Sequence, residues 1–345
     1  MELETLLKNT SRSLYLSVQV LPRSMRAAFS VAYLLCRYAD TIADTAVIPA
    51  ERRLFWVKQF PDLVRTQDSQ AAQQLAQEIK GGSENPYEKI LIGKLEDCFH
   101  WFNQIGEEQR SFILDVVHAV CEGMEHDLSF FPTEHSAEPR ALATEEELEH
   151  YCRLMGGKPG LFWSQLIYHS TKICVPEETF YQWGQYIGDA LQIVNILRDL
   201  PKDLQISRCY FPTSDLQKAG LTSVDLTDEK NSEKFEIVKR KWIVWGLQRL
   251  QKGVAYFSQL PKRQLGQRAA VAWPILWTAD TLYAVYQTPD LLNAKKRVKI
   301  PRRVIYFTLC CTPLLWISNR FFTAWFNYKI RKFDALMSQF SDGKK

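Results

Sequence analysis

Two pairs of aspartates place the strongest constraint on how this chain of 345 residues can fold. Asp40 and Asp44 form the early pair, and Asp199 and Asp203 form the late pair. Each pair lies in a segment whose apolar residues recur every three or four positions, which predicts a helix with one buried face. Side chains four residues apart share a face of a helix, so each pair places two carboxylates side by side. Because neighbouring carboxylates on an apolar wall repel each other and lose hydration, each pair requires a cation.

The carboxylate oxygens of the two pairs indicate which cation they bind. Mg²⁺ prefers oxygen ligands and usually keeps waters and phosphate oxygens beside one or two carboxylates. Two such pairs therefore predict two carboxylate walls that face one cavity and hold a diphosphate. A single pair would more simply indicate a solvated helix face. Here each pair has an arginine nearby, and the second also has a carboxamide, Asn195, so we interpret both pairs as parts of a site.

Each pair belongs to a longer polar stripe on an otherwise apolar helix. Such a stripe faces either solvent or an internal cavity, and the paired acids favour the cavity. The early stripe consists of Tyr33, Arg37, Asp40 and Asp44, and the late one consists of Gln192, Asn195 and Asp199 with Arg198 beside them.

The remaining sequence is also helical in pattern, which predicts an all-α fold in one domain. Helices are expected after Pro22, Pro49 and Pro176, where a proline precedes a periodic apolar run. The last of these helices is expected to end or kink at Pro201, which lacks an amide proton. Further long helical segments are expected at 234–260 and 267–287.

Local signals mark the connections between these helices. Thr144 and Glu147 have the spacing of a capping box, in which both side chains accept first-turn amides. Residues 81–86 and the polar stretch 207–233 are predicted loops. The glycine-rich segment 156–160 indicates a helix break rather than a phosphate cradle. No alternating apolar run predicts a sheet.

Composition and missing motifs exclude several functional classes. The net charge is only +4 and no basic run is interleaved with aromatics, which argues against a nucleic-acid partner. Eight cysteines form no CxxC pair and the N-terminus has no secretory apolar core, so we expect reduced thiols and a cytoplasmic location. The absence of HExxH, GxSxG, GxxxxGK[ST] and GxGxxG patterns gives no support to a zinc protease, a serine hydrolase, a P-loop or a Rossmann fold.

The C-terminal region differs from the rest. Residues 304–319 carry no formal charge, but they are fewer than the roughly 20 that a helix needs to cross a bilayer, and Pro313 interrupts them. Cations at both ends and nearby tryptophans fit a segment lying in the lipid interface. A buried core helix and a membrane-spanning helix are the alternatives. We predict an all-α domain over 1–300 and a membrane-associating segment over 301–345, which attaches the protein peripherally or monotopically.

Five pieces of sequence between Thr10 and Arg303 carry a family resemblance. They are TSRSL at 10–14, YLLCRYADTIAD at 33–44, YCRLMGGKPG at 151–160, QIVNILRDLPKD at 192–203 and RCYFP at 208–212. In this order they resemble the squalene/phytoene synthase family. SRSL and ADTIADT are more similar to the squalene synthase branch than to the phytoene synthases.

The resemblance implies an isoprenoid-synthase helical bundle around a central cavity, with Mg²⁺ and NADPH as cofactors. It implies a head-to-head condensation of two farnesyl diphosphates, through presqualene diphosphate, to squalene. The substrate-binding residues it implies are Ser11, Arg12, Ser13, Tyr33, Arg37, Gln192, Asn195, Arg198 and Arg208. The catalytic residues are Tyr151, Asp40, Asp44, Asp199 and Asp203, and the metal ligands are Asp40, Asp44, Asn195, Asp199 and Asp203.

Further roles follow from the same resemblance. The arginines would clamp the diphosphate, and metal and arginines together would stabilise its charge as it leaves. Tyr151 would assist the proton loss that closes the cyclopropane. Asn195, Lys299 and Arg302 are candidates for holding NADPH, although the two cations equally fit a membrane-proximal flank.

The sequence departs from the family in places, and other functions stay open. Relatives often carry a third acid in each motif, where this chain has Ala43 and Lys202. Lys158 and Pro159 stand where relatives usually have small apolar residues. One alternative is a phytoene or dehydrosqualene synthase without the NADPH step. Another is a non-catalytic, membrane-associated protein that binds prenyl lipids. A monomer is the expected oligomeric state.

Overall fold

The computed structural model of the protein describes residues 3–11, 14–131 and 138–341. Over these residues the chain is helical nearly throughout, which confirms the all-α prediction. Two compact units are present. Unit 1 comprises Met1–Pro132 and Phe162–Ser170, and unit 2 comprises Thr133–Leu161 and Thr171–Lys345. The domain boundary expected after residue 300 stays a prediction.

Unit 1 begins with a succession of helices joined by short connections. In chain order these are α1 (Leu3–Thr10), α2 (Leu14–Gln19), α3 (Arg23–Asp44), α4 (Ala50–Thr66), α5 (Ser69–Glu78), α6 (Pro86–Ile92), α7 (Leu95–Asn103) and α8 (Glu107–Phe130). Prolines precede α3 and α4 as the sequence predicts, and residues 81–85 form the expected connection before α6.

The core of unit 1 forms where α3 packs against α4 and α8. Tyr38 of α3 stacks on Phe60 of α4 with ring centroids 5.5 Å apart, and both side chains are fully buried. The Tyr38 hydroxyl donates to the Ile92 carbonyl at 3.1 Å, which satisfies its polar atom inside the core. Each such buried side chain stabilises the unit by about 1.5–3 kcal/mol. The apolar face of α3 is therefore fixed, and its polar stripe is left on the other side of the helix.

Unit 2 also consists mainly of helices, which pack around one long helix. Its elements begin with β1 (Arg140–Ala141), α9 (Glu145–Cys152), a π-helical turn (Arg153–Gly157), α10 (Lys158–Ser170, which ends in unit 1), α11 (Glu177–Gln205) and β2 (Arg208–Cys209). They continue with α12 (Thr213–Lys218), short 3-10 turns at Val224–Thr227 and Glu229–Asn231, α13 (Ser232–Leu250), α14 (Lys252–Gln259) and α15 (Leu265–Tyr286). The C-terminal elements are α16 (Arg302–Cys310), α17 (Thr312–Ile317), α18 (Asn319–Ile330), a 3-10 turn (Arg331–Phe333) and α19 (Asp334–Ser341).

Helix α11 packs against α13, α14, α15 and the π-helical turn. Phe180 of α11 stacks on Tyr256 of α14 with ring centroids 4.1 Å apart. Where α11 meets the π-helical turn, the two backbones are in close contact, since a Cβ added to Gly188 would lie only 2.0 Å from the Gly156 carbonyl oxygen. Glycine at both positions lets α11 approach the end of α9, which carries Tyr151.

The structure corrects two sequence predictions about helix ends. Helix α11 does not end at Pro201, which is one of the two expectations, but continues through it to Gln205, and the expected kink stays a prediction. Residues 156–160 do not break a helix either, since the chain passes from α9 through the wider π-helical turn directly into α10. A π-helical turn accommodates an extra residue without leaving the helix, and such turns are common at functional sites.

Two further predictions need correction, and one is confirmed. The stretch 207–233 is not a plain loop, because it contains β2, α12 and two 3-10 turns. β1 pairs with β2 in parallel, with Arg140 opposite Arg208, although no sequence pattern predicted a sheet. The helix cap predicted at Thr144 is present, since its hydroxyl accepts from the Glu147 amide at 3.3 Å; the Glu147 carboxylate accepts at 2.7 Å from the amide of Ala143, the residue before the cap, rather than from a first-turn amide.

The C-terminal helices pack against α15 within unit 2. Thr308, Thr312 and Leu315 are buried, and the Trp273 indole donates to the Thr312 hydroxyl at 3.0 Å. Along the described chain, every helix falls short of the length or the apolar character that crossing a bilayer demands.

Candidate active site

Helix α3 carries the early stripe within unit 1. Between its polar positions lie fully buried residues such as Leu34, Leu35 and Ala39, which pack into the core. Asp40 keeps a side-chain exposure of 35%, and Asp44 at the end of the helix is exposed. The apolar periodicity of α3 thus places both carboxylates where they can meet a ligand.

Arg37 joins two carboxylates in unit 1. Its Nη1 lies 2.5 Å from Asp40 Oδ2, and its Nη2 donates to Glu88 Oε1 of α6. Burial lowers the pKa of Arg37, but the attraction of Asp40 and the hydrogen bond and charge of Glu88 outweigh burial, so the pKa is raised overall. Arg37 is therefore a permanent cation that neutralises the early stripe in the absence of a ligand.

The other unit 1 candidates lie near the end of α1. The Tyr33 hydroxyl donates to the Thr10 carbonyl at 2.7 Å, and burial raises the pKa of this phenol. Ser11 is buried, and its hydroxyl donates to the Leu7 carbonyl at 2.6 Å. Arg12 and Ser13 lie outside the described residues. The contacts of Tyr33 and Ser11 tie α1 to α3 and close the helix end.

Helix α11 carries the late stripe within unit 2. The Asn195 amide donates to Gln192 Oε1 at 3.4 Å, so the two carboxamides are neighbours. Arg198 holds Asp199 with two contacts, Nε to Oδ1 at 3.0 Å and Nη2 to Oδ2 at 2.5 Å. Asp199 has a side-chain exposure of 44%, and Asp203 is partly buried one turn further along the unbroken helix. The late pair therefore shares one helix face.

Tyr151 has a partner that the sequence analysis did not single out. Its ring stacks on Tyr210 with centroids 4.6 Å apart, and its hydroxyl donates to the Tyr210 hydroxyl at 3.3 Å. Both side chains are buried. Tyr210 directly follows β2, so the strand pair with β1 brings it to the end of α9. Arg208, in β2 itself, is partly buried in the same segment.

The cofactor candidates Lys299 and Arg302 are exposed at the start of the C-terminal helices. Lys299 lies in the extended segment before α16, and Arg302 is the first residue of that helix. Asn195 is exposed on α11. The assignment of these three residues to NADPH stays a prediction.

The donors present fit Mg²⁺ and a diphosphate. All side chains proposed as metal ligands offer oxygen, which hard divalent cations prefer. Among the described residues, no group of three or more His, Cys, Asp and Glu side chains is arranged to hold a metal. Mg²⁺ would therefore need diphosphate oxygens and water to complete its shell, as is usual for this ion. The buried Arg37 Nε has no hydrogen-bond partner within the described chain, so it could donate to a diphosphate oxygen.

Sequence reasoning missed Glu88 and Tyr210. Glu88 sits in the first turn of a short helix, where an acid is commonplace, so no local signal marks it. Tyr210 lies inside the RCYFP piece, and its position after Arg208 was a usable signal. Both residues act through contacts with distant parts of the sequence.

Comparison with known proteins points to one family. The model of the family "Squalene/phytoene synthase" matches residues 7–304. The squalene synthase of Schizosaccharomyces pombe is 24% identical over 295 residues, which cover 85% of this chain and 61% of the relative. The presqualene diphosphate synthase of Rhodopseudomonas palustris is 28% identical over 214 residues, which cover 62% of each protein. This chain thus spans less than two thirds of either curated relative.

A solved structure shows the same fold. The complex of TcSQS with a ligand matches with a TM-score of 0.75 at 19% identity, over 98% of this chain and 97% of that one. The likeness confirms the helical fold expected from the sequence.

Proposed function

The chain belongs to the squalene/phytoene synthase family, and on this premise we propose that it joins two farnesyl diphosphates head to head. The reaction runs through presqualene diphosphate to squalene, with NADPH as the reductant. The observation that carries the proposal is the pairing within each stripe: Arg37 with Asp40, and Arg198 with Asp199. Each stripe thereby offers carboxylate oxygens for Mg²⁺ and guanidinium donors for a diphosphate.

The arginines carry the first step of this mechanism. Arg37 and Arg198 each present several N–H donors in a plane, which suits the oxygens of a diphosphate. These donors stabilise the negative charge that grows on the diphosphate as the allylic carbon–oxygen bond breaks. Mg²⁺ bound at each stripe, by Asp40 and Asp44 in the early one and by Asn195, Asp199 and Asp203 in the late one, would supply further charge neutralisation. Arg12 and Arg208 are additional candidates for the clamp.

Tyr151 is the candidate for the proton-transfer step. Closing the cyclopropane of presqualene diphosphate requires a proton to leave carbon, and the released diphosphate is the stronger base available to take it. A phenol is a poor base by itself. The Tyr151 hydroxyl donates a hydrogen bond to the Tyr210 hydroxyl, and this bond makes the Tyr151 oxygen a better acceptor. We assign Tyr151 the role of orienting and assisting this proton transfer.

Product analysis tests the proposal. Purified protein is incubated with farnesyl diphosphate and MgCl₂, with and without NADPH. We expect squalene when NADPH is present, and presqualene diphosphate or dehydrosqualene when it is omitted. A preference for geranylgeranyl diphosphate with no effect of NADPH would instead identify a phytoene synthase. No product from either substrate would favour the non-catalytic alternative.

We further propose that α16 and α17 attach the protein to an anionic membrane surface. Their outward residues are apolar: Tyr306 and Phe307 are each 61% exposed and Ile317 is 65% exposed. Their inward residues include the buried Thr308 and Thr312. Large apolar side chains on the outside and threonines on the inside depart from the usual pattern on a surface helix.

Charge supports the same interpretation. Residues 291–333 contain no aspartate or glutamate. Their cations are Lys295, Lys296, Arg297, Lys299, Arg302, Arg303, Arg320, Lys329, Arg331 and Lys332. Exposed apolar residues flanked by cations match the chemistry of an interfacial helix on anionic lipid.

A further inference from the structure

The connection between α5 and α6 presses closely on the end of α3. Gly81 has a φ of +84°, a conformation that glycine adopts without strain. A Cβ added to Gly82 would lie 2.0 Å from Thr45 Oγ1, and Thr45 is the buried residue directly after Asp44. The connection is therefore fixed against the helix that bears the early stripe.

Glu88 lies in the first turn of α6, just after this connection, and extends towards Arg37. The N-cap of α6 is Asn85, whose side chain accepts from the Tyr87 amide at 3.0 Å. Glu88 accepts from Ser83 Oγ at 2.6 Å and from Asn85 Nδ2 at 3.2 Å, in addition to its pair with Arg37. Only 12% of the Glu88 side chain is exposed. Three groups thus converge on one carboxylate that lies outside the five sequence pieces carrying the family resemblance.

The charge state of Glu88 follows from these contacts. Burial raises the pKa of Glu88, but the hydrogen bonds from Ser83 and Arg37 outweigh burial and lower it overall. Glu88 is therefore an anion at neutral pH. It is also less exposed than either Arg37 or Asp40.

We propose that Glu88 is a positioning residue, which holds Arg37 in the orientation that binds diphosphate. Glu88 fixes Nη2, so the guanidinium cannot swing fully onto Asp40. Nη1 is then left in place for a ligand that replaces the contact with Asp40. Asp40 can turn to a metal while Arg37 keeps one anionic partner. The identity of the ligand rests on the proposed function; the dependence of Arg37 on Glu88 does not.

Electrostatics alone predicts the opposite result for a Glu88 variant. Removing a negative charge near an anion site should tighten diphosphate binding, because a repulsion disappears. Loss of positioning should weaken it, because the freed guanidinium collapses onto Asp40. The sign of the change therefore separates the two effects.

The test uses the full chain and inorganic diphosphate with MgCl₂, measured by isothermal titration calorimetry. We expect Glu88→Gln to bind diphosphate about tenfold more weakly than the unmodified protein. Glu84→Gln is the matched control, because Glu84 is an exposed acid in the same connection and its loss removes the same charge. That control should bind as the unmodified protein does. Ser83→Ala, which removes one anchor of Glu88, should give a smaller loss, and thermal melting checks that all variants are folded.

A double-mutant cycle shows whether Glu88 acts through Arg37. In an Arg37→Ala background, Glu88→Gln should cause no further loss of diphosphate affinity. An equal loss in both backgrounds, or unchanged or tighter binding by Glu88→Gln alone, would overturn the inference.

The outcomes also separate this inference from the proposed reaction. Weakened diphosphate binding by Glu88→Gln, together with no turnover of farnesyl diphosphate by the unmodified protein, leaves the inference standing and removes the proposed function. Normal turnover of farnesyl diphosphate by the unmodified protein, with diphosphate binding unchanged in Glu88→Gln, removes the inference and leaves the proposed function standing. If the unmodified protein binds no diphosphate in the presence of MgCl₂, both fail.

Discussion

At the scale of single residues, both stripes solve the same electrostatic problem. Adjacent carboxylates on an apolar helix need a cation, and an arginine of the same helix supplies it when no metal is bound. Arg37 forms an ion pair with Asp40, three residues further along the helix, whereas Arg198 forms one with its immediate neighbour, Asp199. The first aspartate of each pair is thereby held in place, and the arginine is already positioned beside the carboxylates proposed to bind metal.

The hydroxyl of Tyr210 gives a prediction at this scale. Tyr210→Phe keeps the stacked ring but removes the hydroxyl that accepts from the Tyr151 hydroxyl, so formation of presqualene diphosphate should slow on the order of tenfold. The KM for farnesyl diphosphate should change little, because the diphosphate clamp is untouched. Steady-state kinetics with product analysis makes the measurement.

Tyr256→Phe is the matched control for that experiment. Tyr256 is also a buried, stacked tyrosine of unit 2, and its ring stacks on Phe180 of α11. Equal rates for Tyr210→Phe and Tyr256→Phe would show that the Tyr210 hydroxyl has no part in the reaction.

At the scale of elements, Arg268 of α15 links the C-terminal helices to the core of unit 2 through hydrogen bonds. It is fully buried and donates to the carbonyls of Leu260 and Leu315 at 2.7 and 2.9 Å. A third contact joins it to Asn319 Oδ1 at 2.7 Å. The two carbonyls lie at the C-terminal ends of α14 and α17, where the helix dipole favours a cation.

Replacing this side chain should loosen those helices. Arg268→Leu takes the donor from two buried carbonyls and from the partly buried Asn319 side chain, so the free energy of unfolding should fall by about 2–4 kcal/mol. Urea denaturation provides the measurement. Arg263→Leu makes the same substitution at an exposed position just before α15 and should change stability by less than about 0.5 kcal/mol. Similar losses for the two variants would contradict the role given to Arg268.

At the scale of the whole molecule, the distribution of charge is uneven although the net charge is only +4. The acid-free region 291–333 contains both a run of cations and the exposed apolar residues of α16 and α17. The product of the proposed reaction, squalene, is apolar, so attachment to a membrane would place its release where it is soluble.

Vesicle binding tests that attachment. Ile317→Ser should reduce co-sedimentation with vesicles of phosphatidylcholine and phosphatidylserine, because it removes an exposed apolar contact. Ile237→Ser is the matched control, since Ile237 is 61% exposed on α13 and Ile317 is 65% exposed. Binding should also weaken as salt rises, which screens the cations. Equal binding by both variants, or none by the unmodified protein, would rule out this surface.

The sequence by itself determined the helical class, the two stripes and the family. These features depend on spacing along one helix or on short pieces in a fixed order, so they survive without knowledge of the fold. The family assignment is confirmed by the match over residues 7–304. The roles of the individual site residues, the metal and NADPH stay predictions, because local spacing does not specify a bound ligand.

Only the tertiary structure decided which distant residues meet. Glu88 reaches Arg37 because the connection at Gly82 packs against Thr45, and Tyr210 reaches Tyr151 because β2 pairs with β1. The continuation of α11 through Pro201 belongs to the same class, since packing of a long helix can outweigh one missing hydrogen bond. Contacts between residues far apart in sequence depend on the packing of whole elements, and no local pattern encodes them.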